Sequence, residues 1–144
     1  MIVLDVNVLV AAFRADHVHH DRVRPWLEET LRSGTPIGVP DIAWVGFIRL
    51  CTNPRVFSVV STIDETLEFV RAFSAQPGYV HLGGLKDGIE PFLDTLGSSS
   101  AAGNLTTDAY IATIALSLAA GVGTLDRDFR RFDGLRIVEP AAGQ

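Results

Sequence analysis

The chain has 144 residues, of which 47% are hydrophobic and 20% are charged. This length and balance describe one ordinary globular domain, and they exclude a disordered tail or a collagen-like chain. With 12 basic and 17 acidic side chains, the formal net charge is −5, which argues against a protein that coats duplex DNA through a broad basic surface. The negative charge does not exclude a nuclease, because a metal site itself concentrates carboxylates.

The cysteine content and the apolar runs bear on the cellular compartment. The single cysteine, Cys51, excludes an internal disulfide and a cysteine zinc site. The first residues lack a basic start and a long apolar run, so no signal peptide is predicted. No stretch approaches the ~18 uncharged apolar residues of a membrane span. We therefore expect a cytoplasmic protein without a membrane partner.

Apolar periodicity in the first half of the chain predicts two strands and four helices. Short apolar runs indicate buried strands, whereas apolar residues three and four positions apart indicate helices. In chain order the elements are a strand at 2–4, helices at 6–13 and 18–32, a strand at 37–39, and helices at 41–51 and 62–73. Asp41 could act as a helix N-cap, and Thr62 with Glu65 has the spacing of a capping box.

The second half of the chain alternates in the same way. In chain order it predicts a strand at 79–82, a helix at 87–96, a Gly/Ser loop at 97–104, a helix at 106–120, a strand at 122–125, a short helix or turn at 127–132 and a strand at 135–138. Strands that alternate with helices favour a parallel sheet with right-handed crossovers. We therefore predict a three-layer α/β fold, with a central, mostly parallel five-stranded sheet and helices on both faces. This fold would form a single domain over 1–140, followed by a frayed tail at 141–144.

Aspartates follow two of the predicted strands. Asp5 comes directly after the first strand, and Asp126 comes after the fourth. If these strands are parallel and adjacent, both carboxylates emerge at the edge of the sheet where function collects in such folds. Asp108 lies in the first turn of the strongest predicted helix, on its apolar face. Asp128 follows Asp126 by two residues, on the same turn.

Carboxylates gathered at one edge repel one another, which costs stability and raises their pKa values. A divalent cation removes that cost, and oxygen-only ligands favour Mg²⁺ or Mn²⁺ over zinc. Such an ion can ionise a bound water and stabilise the charge that develops on a phosphodiester. The alternative is local work by each side chain: a helix cap at Asp5, a helix-dipole partner at Asp108, and an Asx turn at Asp126 and Asp128.

Three segments resemble the motifs of PIN-domain ribonucleases, in the family order. They are residues 2–9, 107–112 and 123–129, which read IVLDVNVL, TDAYIA and GTLDRDF. The chain length and the segment 44–53 also resemble the VapC toxins of bacterial toxin–antitoxin pairs. The resemblance implies a Mg²⁺-dependent endoribonuclease that cuts structured RNA, such as tRNA or rRNA loops. It further implies a homodimer that a VapB-like antitoxin holds inactive.

The resemblance also assigns roles to single residues. It implies three acidic metal ligands that are also catalytic, and a fourth catalytic carboxylate: Asp5, Asp108, Asp126 and, as the fourth, Asp128. Asn7 and Thr124 match polar positions that support the carboxylates through hydrogen bonds. Arg49 and Arg130 could contact RNA phosphate or the antitoxin, or could be ordinary surface charges.

The chain departs from the family pattern at position 46. The family usually carries a glutamate where this chain has Gly46, and glycine offers no ligand. We therefore expect one well-bound Mg²⁺ on Asp5 and Asp108, with Asp126 and Asp128 holding water or a weaker second ion. The departure leaves open a second function, a module that binds RNA or antitoxin without efficient cleavage.

Other patterns carry weaker signals. His17, His19 and His20 lie at a predicted helix start without a distant fourth zinc ligand, so we interpret them as solvated. A phosphatase of the haloacid dehalogenase type would need a second aspartate where Asn7 stands. A receiver-like signalling domain would need a late lysine, whereas the only lysine is Lys86.

Overall fold

The structure is a computed structural model that describes residues 1–141. Within these residues the elements are β1 Ile2–Leu4, α1 Val6–Phe13, α2 His20–Arg32, β2 Ile37–Pro40, α3 Asp41–Cys51, α4 Ile63–Ser74, β3 Tyr79–Leu82, α5 Glu90–Ser99, α6 Leu105–Ser117, β4 Gly121–Gly123, a 3₁₀ helix Arg127–Arg131, and β5 Arg136–Val138. The predicted frayed tail at 141–144 lies, apart from Ala141, outside the described residues.

The five strands form one parallel sheet in the order β3-β2-β1-β4-β5. The chain adds β2 and β3 on one side of β1 and then crosses back to add β4 and β5 on the other. Because parallel crossovers are right-handed, this reversal places the two sets of helices on opposite faces of the sheet. The predicted α/β fold is confirmed. The carboxyl ends of β1 and β4 form the switch point, where a crevice opens in sheets of this kind.

The core accounts for the apolar runs of the sequence. Every residue of β1, β2 and β4 is buried, as expected for parallel strands that helices cover on both faces. Aromatic rings of α1, α3, α4 and β3 pack together in one cluster: Phe13, Trp44, Phe47, Phe69, Phe73 and Tyr79. Cys51, the last residue of α3, is a free cysteine and is buried. Among the described helices, none combines the length and apolarity needed to cross a membrane.

The predicted bounds of α5 are wrong at both ends. The helix begins at Glu90 rather than at 87, because Gly88 has a positive φ of 80° that a right-handed helix does not contain. It then extends into the first three residues of the predicted Gly/Ser loop and ends at Ser99, where Ser100 has a φ of 52°. At β4 the strand ends at Gly123, two residues before the predicted end.

The two predicted helix caps have different outcomes. At α4 the capping box forms: the Glu65 amide donates to the Thr62 hydroxyl at 3.2 Å, and the Thr62 amide donates to the Glu65 carboxylate at 2.6 Å. At α3 the prediction is wrong, since Pro40 is the N-cap and Asp41 is the first helical residue. The Asp41 carboxylate instead lies 2.7 Å from Nε2 of His81 in β3.

Candidate active site

Asp5 is the first residue after β1, in the middle of the carboxyl edge of the sheet. The residue is only 4% exposed. Its Oδ1 accepts a hydrogen bond from the Val6 amide at 2.6 Å, which makes Asp5 the N-cap of α1. Its Oδ2 accepts a hydrogen bond from the Thr124 hydroxyl at 2.9 Å. Capping and strand pairing therefore fix both oxygens of this carboxylate at the sheet edge.

Thr124 and Asn7 form a hydrogen-bonded frame around Asp5. The Thr124 Oγ1 that donates to Asp5 accepts from Nδ2 of Asn7 at 3.2 Å and from the Asp126 amide at 3.0 Å. Oδ1 of Asn7 accepts from the Leu125 amide at 3.1 Å. The structure thus brings the two predicted supporting residues into contact with each other and with the segment after β4. The frame ties the start of α1 to the segment that follows β4.

Asp126 and Asp128 lie on the turn that follows β4. Asp126 lies three residues beyond the last strand residue, Gly123, and its Oδ1 accepts from the Asp128 amide at 2.8 Å. Asp126 therefore caps the 3₁₀ helix, as the alternative of an Asx turn at Asp126 and Asp128 predicted. Asp128 is exposed, with its carboxylate 3.9 Å from the guanidinium of Arg131. The two side chains consequently face different surroundings.

Three of the predicted carboxylates lie within electrostatic range of one another. For Asp5, burial is the main cause that raises its pKa to about 7; the charges of Asp108 and Asp126 add to this effect, and the Thr124 hydroxyl opposes it. Burial, followed by the charges of Asp126 and Asp128, raises the pKa of Asp108 to about 6. Within residues 1–141, Asp5, Asp108 and Asp126 form no salt bridge with a basic side chain. Their negative charge is therefore poorly compensated.

These carboxylates line an open cleft of about 780 Å³. Asp5, Asp108 and Asp126 are on its wall, and Arg49 of α3 lines it as well. Asp128 is not part of the lining. Arg130 is also outside the cleft and pairs with Glu139 at 3.0 Å. A second groove, of about 720 Å³, lies between α2 and α4 and contains none of the predicted site residues.

Gly46 lies on the wall of the cleft, where α3 packs against α1. A Cβ at this position would lie 2.8 Å from Cγ2 of Val6. The Val6 side chain therefore occupies the space into which a larger residue at 46 would project. Asp41 does not replace the missing carboxylate, because it is exposed and bonded to His81.

The donor chemistry of the cleft fits a hard divalent cation. Its acidic side chains offer oxygen ligands, and neighbouring carboxylates add to the burial that raises the pKa values of Asp5 and Asp108. No three His, Cys, Asp or Glu side chains in the described part of the chain converge closely enough to form a ready-made metal cage. The open cleft has room for the water ligands that Mg²⁺ usually keeps. The assignment of Mg²⁺, or of Mn²⁺ in its place, stays a prediction.

Comparison with known protein families identifies the family of this chain. A model of the PIN domain matches residues 2–135. The chain belongs to the PIN domain family. Ribonuclease VapC31 of Mycobacterium tuberculosis (strain ATCC 25618 / H37Rv) is 39% identical over 140 residues, which cover 97% of this chain and 99% of that relative. The resemblance of the three sequence motifs is thereby confirmed.

Solved structures share the fold of this PIN domain. VapBC2 from Rickettsia felis, in a crystal structure with a DNA fragment from its promoter, matches with a TM-score of 0.72 and 18% identity, over 96% of this chain and 98% of the other. Mycobacterium tuberculosis VapC20, a toxin that cleaves the sarcin–ricin loop, matches with a TM-score of 0.73 and 12% identity, over 96% and 98%. At these identities the likeness concerns the fold alone.

One residue that lines the cleft of this PIN domain is not predicted from the sequence. His17, which we interpreted as solvated, is half-buried and lines the cleft with the carboxylates. His20 is instead directed to the Ala11 carbonyl, 2.9 Å from its Nδ1. Residue spacing does not show that His17 lines the cleft and His20 does not, because the position of His17 depends on the conformation of the loop between α1 and α2.

Proposed function

We propose that this chain is a metal-dependent endoribonuclease that cleaves structured RNA and is inhibited by a cognate antitoxin. The observation that carries the proposal is the poorly compensated set of Asp5, Asp108 and Asp126 on one cleft of a PIN domain. The name of the relative with 39% identity, a ribonuclease, supports the activity. The VapBC2 complex, a match in fold, supports an antitoxin partner.

The residues of the cleft divide the work of this reaction. Asp5 and Asp108 would hold one ion, and Asp126 would hold water or a weaker second ion. When bound, Mg²⁺ supplies Lewis-acid activation of a water molecule and neutralises charge on the phosphodiester. Thr124 and Asn7 keep the Asp5 carboxylate in one orientation. Arg49, exposed on the α3 wall, offers a cation to an RNA phosphate. Asp128 and Arg130 lie outside the cleft, and their roles stay predictions.

The products follow from attack by water. Its oxygen bonds to phosphorus, the bond from phosphorus to the 3′ oxygen breaks, and that oxygen takes up a proton. The products carry a 5′-phosphate and a 3′-hydroxyl, and a 2′,3′-cyclic phosphate would contradict this mechanism. Loops of tRNA or rRNA suit the cleft as substrates, because their bases are unstacked and accessible.

We also propose a cytoplasmic location and a homodimeric state. The location is supported by the RNA substrate and by the free thiol of buried Cys51, which suits a reducing compartment. The homodimer is implied by the family resemblance, and sedimentation of the antitoxin-free protein tests it.

The central experiment is cleavage of total cellular RNA by the purified, antitoxin-free protein. We expect discrete fragments with Mg²⁺ or Mn²⁺ and none with a chelator. Asp5→Asn should abolish the fragments, whereas Asp87→Asn, which changes an exposed carboxylate outside the cleft, should not. Fragments that persist in chelator, or in folded Asp5→Asn, would overturn the proposal.

One observation favours a second candidate, a module that binds RNA or antitoxin without efficient cleavage. Gly46 supplies no carboxylate, and Val6 occupies the adjoining space. If this candidate is right, the folded protein will retain RNA on a filter but leave it uncut with every metal, and Asp5→Asn will behave like wild type.

A further inference from the structure

The cleft holds one imidazole that the mechanism above does not use. His17 lies on the loop between α1 and α2 and shares the cleft with the carboxylates and with Arg49. Arg49 is the only lysine or arginine that lines the cleft among the described residues. A phosphodiester that enters the cleft meets three carboxylates and a single cation, so every additional hydrogen-bond donor there affects how tightly RNA is held.

A backbone contact fixes the orientation of the His17 ring. The amide of His19 donates to Nδ1 of His17 at 3.1 Å. In the neutral ring, an Nδ1 that accepts leaves the proton on Nε2, so the ring presents an N–H donor at its other end. Burial, followed by the neighbouring His19, lowers the pKa of His17. The lowered pKa favours the neutral form of the imidazole, in which Nε2 carries the proton.

Arg14 holds the loop that carries His17. This arginine is 7% exposed, and its guanidinium donates to both carboxylate oxygens of Asp16, at 2.9 and 2.6 Å. It also donates to the Val59 carbonyl at 2.8 Å and lies 3.9 Å from the centre of the Phe57 ring. The amide of His17 in turn donates to the Arg14 carbonyl at 3.1 Å. The loop is thus anchored to the segment between α3 and α4, and His17 is held at the cleft.

We propose that His17 is an RNA-binding residue of this cleft, whose Nε2–H donates a hydrogen bond to a phosphate oxygen of the bound RNA. The proposal rests on the proposed function for its substrate. In this arrangement Arg49 binds RNA through its charge, and His17 binds it through a hydrogen bond. The two contacts have different salt dependences, which separates them experimentally.

The test measures binding of fluorescein-labelled bulk tRNA in chelator, where cleavage does not interfere. We expect His17→Ala to weaken binding about 10- to 100-fold, the loss of one hydrogen bond to a charged group. The slope of log K against log salt should stay unchanged in His17→Ala and should fall by about 1 in Arg49→Ala. Val18→Ala, the matched control on the same loop, should bind within about twofold of wild type, because its side chain is exposed and does not line the cleft.

A conservative variant keeps the test valid if alanine disturbs the loop. His17→Gln places an amide N–H near the position of Nε2 and should recover part of the affinity. With metal present, loss of His17 should raise KM more than it lowers kcat. Wild-type affinity in both His17 variants would overturn the proposal, as would a salt slope that falls in His17→Ala. Failure of wild type to cleave RNA would reject the nuclease, while the binding comparison in chelator would still decide the role of His17.

Discussion

The hydroxyl of Thr124 donates a hydrogen bond to Oδ2 of Asp5 at 2.9 Å, between residues 119 positions apart. The contact exists because β1 and β4 pair with Leu4 beside Gly123, so the next residue of each strand meets its counterpart. The pairing of β1 with β4 and the capping of α1 therefore both fix the orientation of Asp5, the candidate metal ligand. A change at Thr124 should affect both stability and metal binding.

Thr124→Val should test this coupling. Valine has the shape of threonine but leaves Nδ2 of Asn7 and the Asp126 amide without their acceptor, at a cost of about 1–3 kcal/mol in the free energy of unfolding. Affinity for Mn²⁺ should fall roughly tenfold, as for loss of a residue that orients a metal ligand. Urea denaturation and a Mn²⁺ titration measure the two effects. Thr124→Ser keeps the hydroxyl and should lose little of either; equal losses in both variants would contradict the prediction.

The raised pKa of Asp5 predicts how the metal-free protein responds to pH. Because folding raises this pKa from 3.8 to about 7, the folded state favours the protonated acid. The resulting stability is complete below about pH 4 and is lost as pH rises through about 7. Asp108, whose pKa is raised to about 6, acts in the same direction. In chelator, the free energy of unfolding should therefore fall between about pH 4 and about pH 7.

Asp5→Asn should reduce this pH dependence. Since one pKa unit corresponds to about 1.4 kcal/mol, we expect the variant to be about 1–3 kcal/mol more stable than wild type at about pH 8 in chelator. Urea denaturation at each pH measures the difference. The exposed control Asp87→Asn should follow the wild-type curve. A variant that is less stable than wild type at that pH would show that Asp5 is not strained by its burial and its neighbours.

The close approach of Gly46 to Val6 predicts that alanine at position 46 lowers stability, although alanine normally favours a helix more than glycine does. In α3, Gly46→Ala should lower stability by about 1–3 kcal/mol, because the new Cβ would lie 2.8 Å from Cγ2 of Val6. Val6→Ala should restore much of the loss when combined with Gly46→Ala. Gly97→Ala, at a helical glycine with open space around it, should instead raise stability by about 0.5–1 kcal/mol. Additive effects in the Val6 and Gly46 double-mutant cycle would refute the close contact.

Arg14 should be far more sensitive than exposed arginines to a change of cation. Arg14→Lys loses the paired hydrogen bonds to Asp16 and the stacking on Phe57, which should cost about 2–3 kcal/mol. Arg32→Lys changes an exposed arginine that pairs with Glu29 across one helical turn, and should cost less than about 0.5 kcal/mol. Thermal and urea denaturation measure both. Similar costs at the two positions would show that the anchoring of the loop contributes little.

The carboxylates of the cleft could be placed from the sequence because each is tied to the beginning or end of a regular element. Asp5 follows a buried strand, and Asp108 stands in the first turn of a helix on its inward side. Asp126 was placed at a strand end, whereas β4 stops three residues earlier at Gly123. The error is small in space, because Thr124 and its hydrogen bonds turn the intervening chain back to the sheet edge.

The features that could not be predicted depend on contacts between distant segments or on backbone conformation. The position of His17 depends on Arg14, whose partners include the Val59 carbonyl 45 residues away. The start of α5 depends on the positive φ of Gly88, which apolar periodicity does not reveal. The proximity of Gly46 to Val6 is a matter of how closely α1 and α3 pack, and no spacing within either helix encodes it.

The order of the strands in the sheet also determines when the cleft can form during synthesis. Synthesis delivers β1 and Asp5 first, but β4, the partner of β1 on the side of the cleft, comes only after α6. A nascent chain of the first hundred residues has one wall of the cleft and lacks both Asp108 and Asp126. The cleft closes only when the last third of the chain has left the ribosome and folded. The candidate site can therefore be complete only after α6 and the turn that follows β4 have been synthesised.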